Sequence, residues 1–284
     1  MTSAARPIRQ FKFAAIQLRV TADKDQNLMR VRSVVREAAQ SGARVVALPE
    51  CFNSPYGNKY FATYAESVPD GATSRCLQEI ASENKVLLIG GSIPERDGDK
   101  LYNTSLVYSE SGALLAKFRK MHLFDVAIKG GITFQESLTL TAGDDFALFD
   151  SSFGRFGLGI CYDVRFAPLA QLYAKQGAQF LVYPGAFNTV TGPLHWELLA
   201  RARAVDNQLF VALVSPARDP DATYQAYGHS IVVDPWAKVL AQASHEPAIV
   251  YADIDLDRVD EVRAQIPVTS QQRTDVYDVV AANK

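Results

Sequence analysis

KFAAIQLRV (12–20), DQNLMRVRSVVREAAQSG (25–42) and RVVALPE (44–50) follow one another with almost nothing between them. The first and third runs are short, apolar and strand-like. The second places Leu28, Val31, Val35 and Ala38 at helical spacing on one face, with Gly42 just past its end. Strand, helix, strand in this compass predicts a βαβ unit, and therefore a parallel sheet.

The alternation continues outward from that unit. The spacing predicts a helix around 73–84 and a strand in KVLLIGGSI. YNTSLVYS and ALLAKFRK flank Glu110-Ser111-Gly112 and predict an antiparallel hairpin. Residues 121–145 read as irregular. Strands FALFD and RFGLGIC follow, then a helix from Pro168 to about Gly177 and strand QFLVYPGAF. A helix around 194–208, strand LFVALVSPA, hairpin HSIVVDPWAKVLAQA, strand AIVYADIDL and a short final helix complete the reading. Most strands are apolar throughout, which calls for cover on both sheet faces and an α/β fold. No linker or low-complexity tract interrupts the chain. The expectation is one domain over 1–284, with its core at about 10–280 and residues 1–9 flexible.

The chain has 284 residues, 48% of them hydrophobic and 21% charged. A core of that size needs no disulfides or metal to hold it. The net charge of −2 comes without long basic runs, so neither nucleic acid nor an anionic membrane surface is an expected partner. Cys51, Cys76 and Cys161 are too few, and odd in number, for a disulfide framework, which points to a reducing, cytoplasmic setting. No apolar run approaches the roughly 20 residues of a membrane span. MTSAARPIRQ lacks a secretory apolar core. It is basic and free of acids, which leaves a mitochondrial destination open.

Three reactive side chains sit where strands run out: Glu50 after RVVALPE, Lys120 after ALLAKFRK and Cys161 after RFGLGIC. In open α/β sheets, ligands bind beyond the carboxyl ends of strands, so the three could share a cleft. Each alone has a plainer reading: a buried small hydrophobe for Cys161, a capping carboxylate for Glu50, a solvated charge for Lys120 beside Lys117 and Arg119. Against the plain reading of Cys161, Gly157 and Gly159 allow close backbone approach, and the strand-to-helix turn leaves N–H groups free. Cys51 follows Glu50 directly, and consecutive strand residues face opposite ways. Cys76, beside Leu77 and Ile80, reads as core. His122, His195, His229 and His245 show no zinc-ligand spacing with the cysteines, and no phosphate-binding glycine motif is present.

Together the motifs resemble the nitrilase, or carbon–nitrogen hydrolase, superfamily. LPECFNSPY (48–56), KMHLFD (120–125), ITFQES (132–137) and GLGICYDVRF (157–166) carry the resemblance. YPGAFNTVTGPLHWELLARARAVDNQ (183–208) and SPARD (215–219) are similar to the omega-amidase branch. The match covers about residues 10–280. It implies a four-layer αββα sandwich that dimerises into an extended sandwich. It also implies a Glu–Lys–Cys catalytic set at Glu50, Lys120 and Cys161, with a second glutamate at Glu136.

The implied chemistry is amide hydrolysis through a thioester. A thiol with pKa near 8.5 is only a few per cent thiolate at pH 7, so Cys161 needs a base or a cation beside it. Glu50 would move the proton, while Lys120 and the backbone N–H of Tyr162 would stabilise the oxyanion. Glu136 would orient Lys120 or the substrate amide. No metal or organic cofactor is expected. The branch acts on 2-oxo dicarboxylate monoamides such as 2-oxoglutaramate, whose far end is a carboxylate. An arginine fork suits that group, and Arg165 is the candidate, with a structural salt bridge as its plainer role. By the same analogy Thr191 supplies a hydroxyl, and Phe187 and Tyr56 wall the site. The branch usually reads RFPEL or RFAEL after the nucleophile; here RFAPL puts Pro168 in place of the acid, which suits a helix start and removes a carboxylate near Arg165.

Four other readings share these residues: an amidase for deaminated glutathione, a nitrile hydrolase, a papain-like hydrolase with His195 as base, and a silent scaffold. The scaffold reading sits poorly with a complete catalytic set. The papain-like one has no evident orienter for His195.

Overall fold

The computed structural model describes residues 8–282. Residues 1–7, most of the stretch read as flexible and as a possible targeting segment, lie outside the described residues, as do 283–284. Ile8 and Arg9 are already anchored. The Ile8 N–H donates to Ser152 O at 2.6 Å, and Arg9 pairs with Asp257 and Asp260.

The opening βαβ unit forms as its periodicity predicts. β1 (Gln10–Gln17) and β2 (Ala43–Ala47) are parallel neighbours joined by α1 (Lys24–Gln40). Asp23 caps α1 by accepting from the Gln26 N–H, and Gly42 takes the chain out at φ +89°. The helix buries Asn27, Val31, Val35 and Ala38. Leu28, expected in that stripe, is only half-buried. Asn27 takes the deeper place because its amide closes the preceding loop, donating to Thr21 O at 2.7 Å and accepting from the Thr21 N–H at 2.9 Å.

Beyond β2, a short α2 (Asn58–Tyr64) precedes the expected α3 (Ala72–Asn84). KVLLIGGSI forms only β3 (Leu87–Ile89). Its glycines turn the chain into β4 (Ile93–Asp97), which pairs with β5 (Lys100–Tyr108). β5 and β6 (Leu114–Arg119) make the predicted hairpin, Tyr108 opposite Leu114, with Gly112 at φ +81° in its turn. The segment read as irregular contains a small ladder, β7 (Asp125–Ala127) with β8 (Thr133–Gln135). Three-residue strands carry too little alternation to be read from sequence.

The second sheet comprises β9 (Ala147–Ser151), β10 (Gly154–Leu158), β11 (Phe180–Pro184), β12 (Phe210–Val214), β13 (Ile231–Val233) and β14 (Val239–Gln242). Helices α4 (Ala167–Lys175) and α5 (Gly192–Asn207) cross over between parallel strands β10, β11 and β12. β15 (Ala248–Asp255) returns to pair antiparallel with β1, and α6 (Asp257–Gln265) and α7 (Val268–Gln271) follow. The first sheet runs β15-β1-β2-β3-β5-β4 with β6 also on β5; the second runs β14-β13-β12-β11-β10-β9.

The sheets pack face to face through aromatic side chains. Phe13 of β1 meets Phe180 of β11 at 5.0 Å between ring centroids, and Phe11 meets Phe153 at 5.2 Å. Alternate residues Ala14 and Ile16 face the other way, into a separate apolar cluster with Val31, Val35, Leu77 and Ile80 of α1 and α3. On the far side of the second sheet, Ala170 and Tyr173 of α4 and Trp196, Ala200 and Ala204 of α5 are buried against it. The layers are therefore helices, sheet, sheet, helices: the αββα sandwich that the resemblance implied. Among the described residues no helix is long and apolar enough to cross a membrane.

Candidate active site

Glu50 and Lys120 extend from the first sheet and Cys161 from the second. β2 ends at Ala47, so Glu50 sits on a turn rather than at a strand end, and Cys51 follows it at φ +49°. The two side chains part here not by strand alternation, as the sequence suggested, but because Cys51 turns into a separate small cluster with Phe61, Leu101 and Leu140. Lys120 is the first residue after β6. Cys161 opens a single 3-10 turn (Cys161–Arg165) at φ +50°, a left-handed conformation that a non-glycine residue holds only when its surroundings enforce it.

Two residues supply that enforcement. The buried Asp163 carboxylate accepts from the Ile160 N–H at 2.9 Å, and from the His122 N–H at 2.9 Å, tying the cysteine turn to the end of the lysine strand. Arg203 of α5 donates to Val164 O at 2.9 Å and Arg165 O at 3.2 Å. The expected glycines fit for want of a Cβ. One at Gly159 would lie 2.4 Å from the Tyr183 ring, and one at Gly157 2.7 Å from Leu181.

The three groups meet in one buried cluster with Glu136. The side chains of Glu50, Lys120 and Glu136 are each 0% exposed. Lys120 Nζ lies 3.0 Å from Glu50 Oε1 and 2.9 Å from Glu136 Oε2. Glu50 also accepts from Asn103 Nδ2 at 2.9 Å and from the Ala186 N–H at 2.8 Å. Glu136 accepts from the Phe124 N–H at 2.7 Å and the Tyr56 hydroxyl at 3.1 Å. Cys161 lies against the same cluster: its Cα is 3.1 Å from where a Cβ on Gly185 would stand, next to Ala186, and the charges of Glu50 and Lys120 both act on its thiol.

Burial dominates the protonation of this cluster. It pushes the Cys161 thiol well above its ordinary value, the charge of Glu50 adds to the rise, and Lys120 only partly offsets it. Burial likewise raises the Glu50 carboxyl despite Lys120. Burial opposes the Lys120 charge, but the carboxylates of Glu136 and Glu50 outweigh it and hold the ammonium well above its usual range. The resting site therefore holds a protonated thiol beside Glu50 and a fixed lysine cation.

Around the cluster the wall is aromatic. Tyr56 stacks on Phe134 at 5.6 Å and meets Tyr224 at 4.6 Å, and the Tyr224 hydroxyl donates to Ala186 O at 2.5 Å. The half-buried Arg165 guanidinium lies 4.5 Å over the Phe187 ring and donates to His195 Nδ1 at 3.1 Å. It makes no ion pair among the described residues, so the plainer salt-bridge role does not hold. Pro168, in the position usually acidic, sits in the first turn of α4. Thr191, buried, spends its hydroxyl on Asn188 Oδ1 at 3.3 Å and its N–H on the same atom at 2.8 Å.

His195 does not take the role of base: its ring contacts Arg165, while the charges of Glu50 and Lys120 act on the Cys161 thiol. Cys76 is half-buried against Arg32 rather than fully in the core. Sequence reasoning missed Asn103, Tyr224 and the Arg165–His195 pair. A polar Asn103 inside the apolar run YNTSLVYS was the one available sign; Tyr224 lies in a loop without periodicity.

A buried lysine between two carboxylates beside a cysteine turn, on an αββα frame, defines a class. The carbon–nitrogen hydrolase model matches residues 12–264, and the chain belongs to that family. It is 60% identical over 269 residues to the Homo sapiens protein named Omega-amidase NIT2, covering 95% of this chain and 97% of that protein. It is 59% identical over 271 residues to the Bos taurus Omega-amidase NIT2, covering 95% and 98%. Among solved structures, Saccharomyces cerevisiae Nit3, a member of branch 10 of the nitrilase superfamily, superposes with a TM-score of 0.87 at 44% identity, covering 95% of this chain and all of that one.

Proposed function

We propose that this enzyme is an omega-amidase: it hydrolyses the terminal amide of 2-oxo dicarboxylate monoamides, chiefly 2-oxoglutaramate, to the dicarboxylate and ammonia. The observation that carries the mechanism is the buried cluster in which the Lys120 ammonium stands 3.0 Å from Glu50, with the charges of both acting on the Cys161 thiol.

Because burial keeps the thiol protonated, attack and proton transfer go together. Sγ bonds to the amide carbon as Glu50 takes the thiol proton, and the carbonyl electron pair moves to oxygen. Lys120 has three N–H donors, two of them used by Glu50 and Glu136. The third, with the Tyr162 backbone N–H, stabilises the oxyanion, one such donor being worth roughly 10²–10³ in rate. The intermediate collapses with cleavage of the C–N bond, Glu50 giving its proton to the departing ammonia. Water then attacks the thioester as Glu50 takes its proton; the C–S bond breaks and sulfur recovers the proton. Glu136 positions Lys120 and is held by Tyr56 and the Phe124 N–H. No step calls for a metal or organic cofactor.

The far carboxylate of the substrate binds Arg165. A half-buried guanidinium over Phe187 with no carboxylate partner is left with donors for an anionic ligand. Phe187 and Tyr56 wall the pocket, and Thr191 shapes its rim. A cytoplasmic setting suits a reaction that needs Cys161 as a free thiol. Purified enzyme should release ammonia from 2-oxoglutaramate far faster than from deaminated glutathione. The reverse order would move the activity to the other amide.

We also infer a homodimer joined along α5. That helix buries Trp196, Ala200 and Ala204 but exposes Leu194, Leu198 and Val205, which recur at helical spacing along its outer face. Leu198→Asp should halve the mass seen by size-exclusion chromatography with light scattering. A mass unchanged by that substitution would place the interface elsewhere.

A further inference from the structure

We propose that His195 is a positioning residue for substrate selection: its Nδ1 holds the Arg165 guanidinium in the orientation that receives the substrate carboxylate. This deepens the reading of Arg165 given above and rests on it.

The contact fixes the chemistry of both partners. Arginine has five N–H donors and no acceptor, so the 3.1 Å contact between Arg165 Nη1 and His195 Nδ1 requires a lone pair on Nδ1. The imidazole is therefore neutral with its proton on Nε2, an assignment that follows from the partner. A neutral acceptor does for Arg165 what a carboxylate could not. It fixes one arm of the fork without cancelling the charge, so the remaining donors still attract an anion. Pro168 suits the same purpose, because it puts no acid beside that fork.

The surroundings leave His195 as the anchor. The guanidinium otherwise rests on flat aromatic faces, Phe187 at 4.5 Å and Tyr162 at 5.7 Å, which limit its tilt but allow it to slide. His195 stands in the first turn of α5, next to buried Trp196, whose Nε1–H donates to His229 O at 2.7 Å. The ring thus projects from a pinned helix onto a side chain that the catalytic turn carries. Its function is orientation, and the expected signature is a loss of binding for charged substrates with the chemistry at Cys161 left running.

The test compares 2-oxoglutaramate with butyramide, a neutral amide without the distal carboxylate, in His195→Ala, His195→Asn and Arg165→Met. Asparagine can present its side-chain oxygen near the place of Nδ1. His195→Ala should raise KM for 2-oxoglutaramate about tenfold, the scale of one hydrogen bond to a charged group, with kcat changed less than about twofold. Butyramide kinetics should stay within about twofold, and His195→Asn should recover most of the KM. In Arg165→Met, adding His195→Ala should cost nothing more, because the two act as one unit. Equal losses on both amides, or full additivity with Arg165→Met, would overturn the proposal. An Arg165→Met enzyme that still prefers the charged amide would overturn the reading of Arg165, and this inference with it. Should His195→Ala fold poorly, the His195→Asn enzyme and Arg165→Met decide on the same ratio.

Discussion

Cys161→Ala should abolish ammonia release from 2-oxoglutaramate, with a loss of roughly 10⁴–10⁶-fold, the scale seen when a covalent nucleophile is removed from an otherwise intact site. The thiol is the one group in the cluster that can form the acyl bond. Cys51, the other buried thiol near Glu50, turns into its own apolar pocket and bonds through its backbone N–H to Ser92 at 3.1 Å. Intact mass after substrate mixing supplies a second readout. The wild type should carry an acyl adduct at Cys161 and the variant none. Substantial activity in Cys161→Ala would return this residue to the role of core filler. An adduct on Cys51 would move the chemistry to the wrong side of Glu50.

Lys120→Met should cost both activity and stability. In the native cluster a single cation stands 3.0 Å from Glu50 and 2.9 Å from Glu136, all three side chains out of contact with solvent. Removing one member of a buried ionic network costs about 3–5 kcal/mol, because the remaining charges lose their partner without regaining water. The pH dependence has a definite sign. Burial already raises the folded-state carboxyl of Glu50 with Lys120 beside it, and without Lys120 it rises further. A group raised in the folded state adds stability below its unfolded pKa and loses it as pH climbs through the folded one. The deficit relative to wild type should therefore be smaller at pH 5 than at pH 8 when urea midpoints are compared. A deficit independent of pH would mean that the variant is hurt by lost packing rather than by stranded carboxylates.

The parts legible in the sequence are those with a period or a motif. α1 and α3, the parallel strands and the β5–β6 hairpin follow from spacing, and Gly42 and Gly112 take positive φ where turns were read. Elements of three residues, such as β7 and β8, and the seven-residue α2, give too little periodicity to register. Glu50, Lys120 and Cys161 could be singled out by position, at or near strand ends. Glu136 could not: it lies in a segment without regular pattern, and only the resemblance named it. The supports of the site escaped for a different reason. Asn103, Ala186, Asp163 and His195 act through distances set by tertiary packing, and |i−j| between Glu50 and Ala186 is 136.

The two halves of the chemistry are carried on opposite sides of the aromatic seam. Glu50, Asn103 and Lys120 belong to the first sheet; Cys161, Arg165 and Ala186 belong to the second. Neither sheet alone can activate the thiol, and a small slip of one across the other would part the sulfur from its base before any strand unravelled. The Phe13–Phe180 contact is thus as much a part of the catalyst's alignment as any polar group. Reactivity is switched on by the docking event itself. On the proposed mechanism, a chain whose two sheets have not docked lacks both the base and the cation beside Cys161.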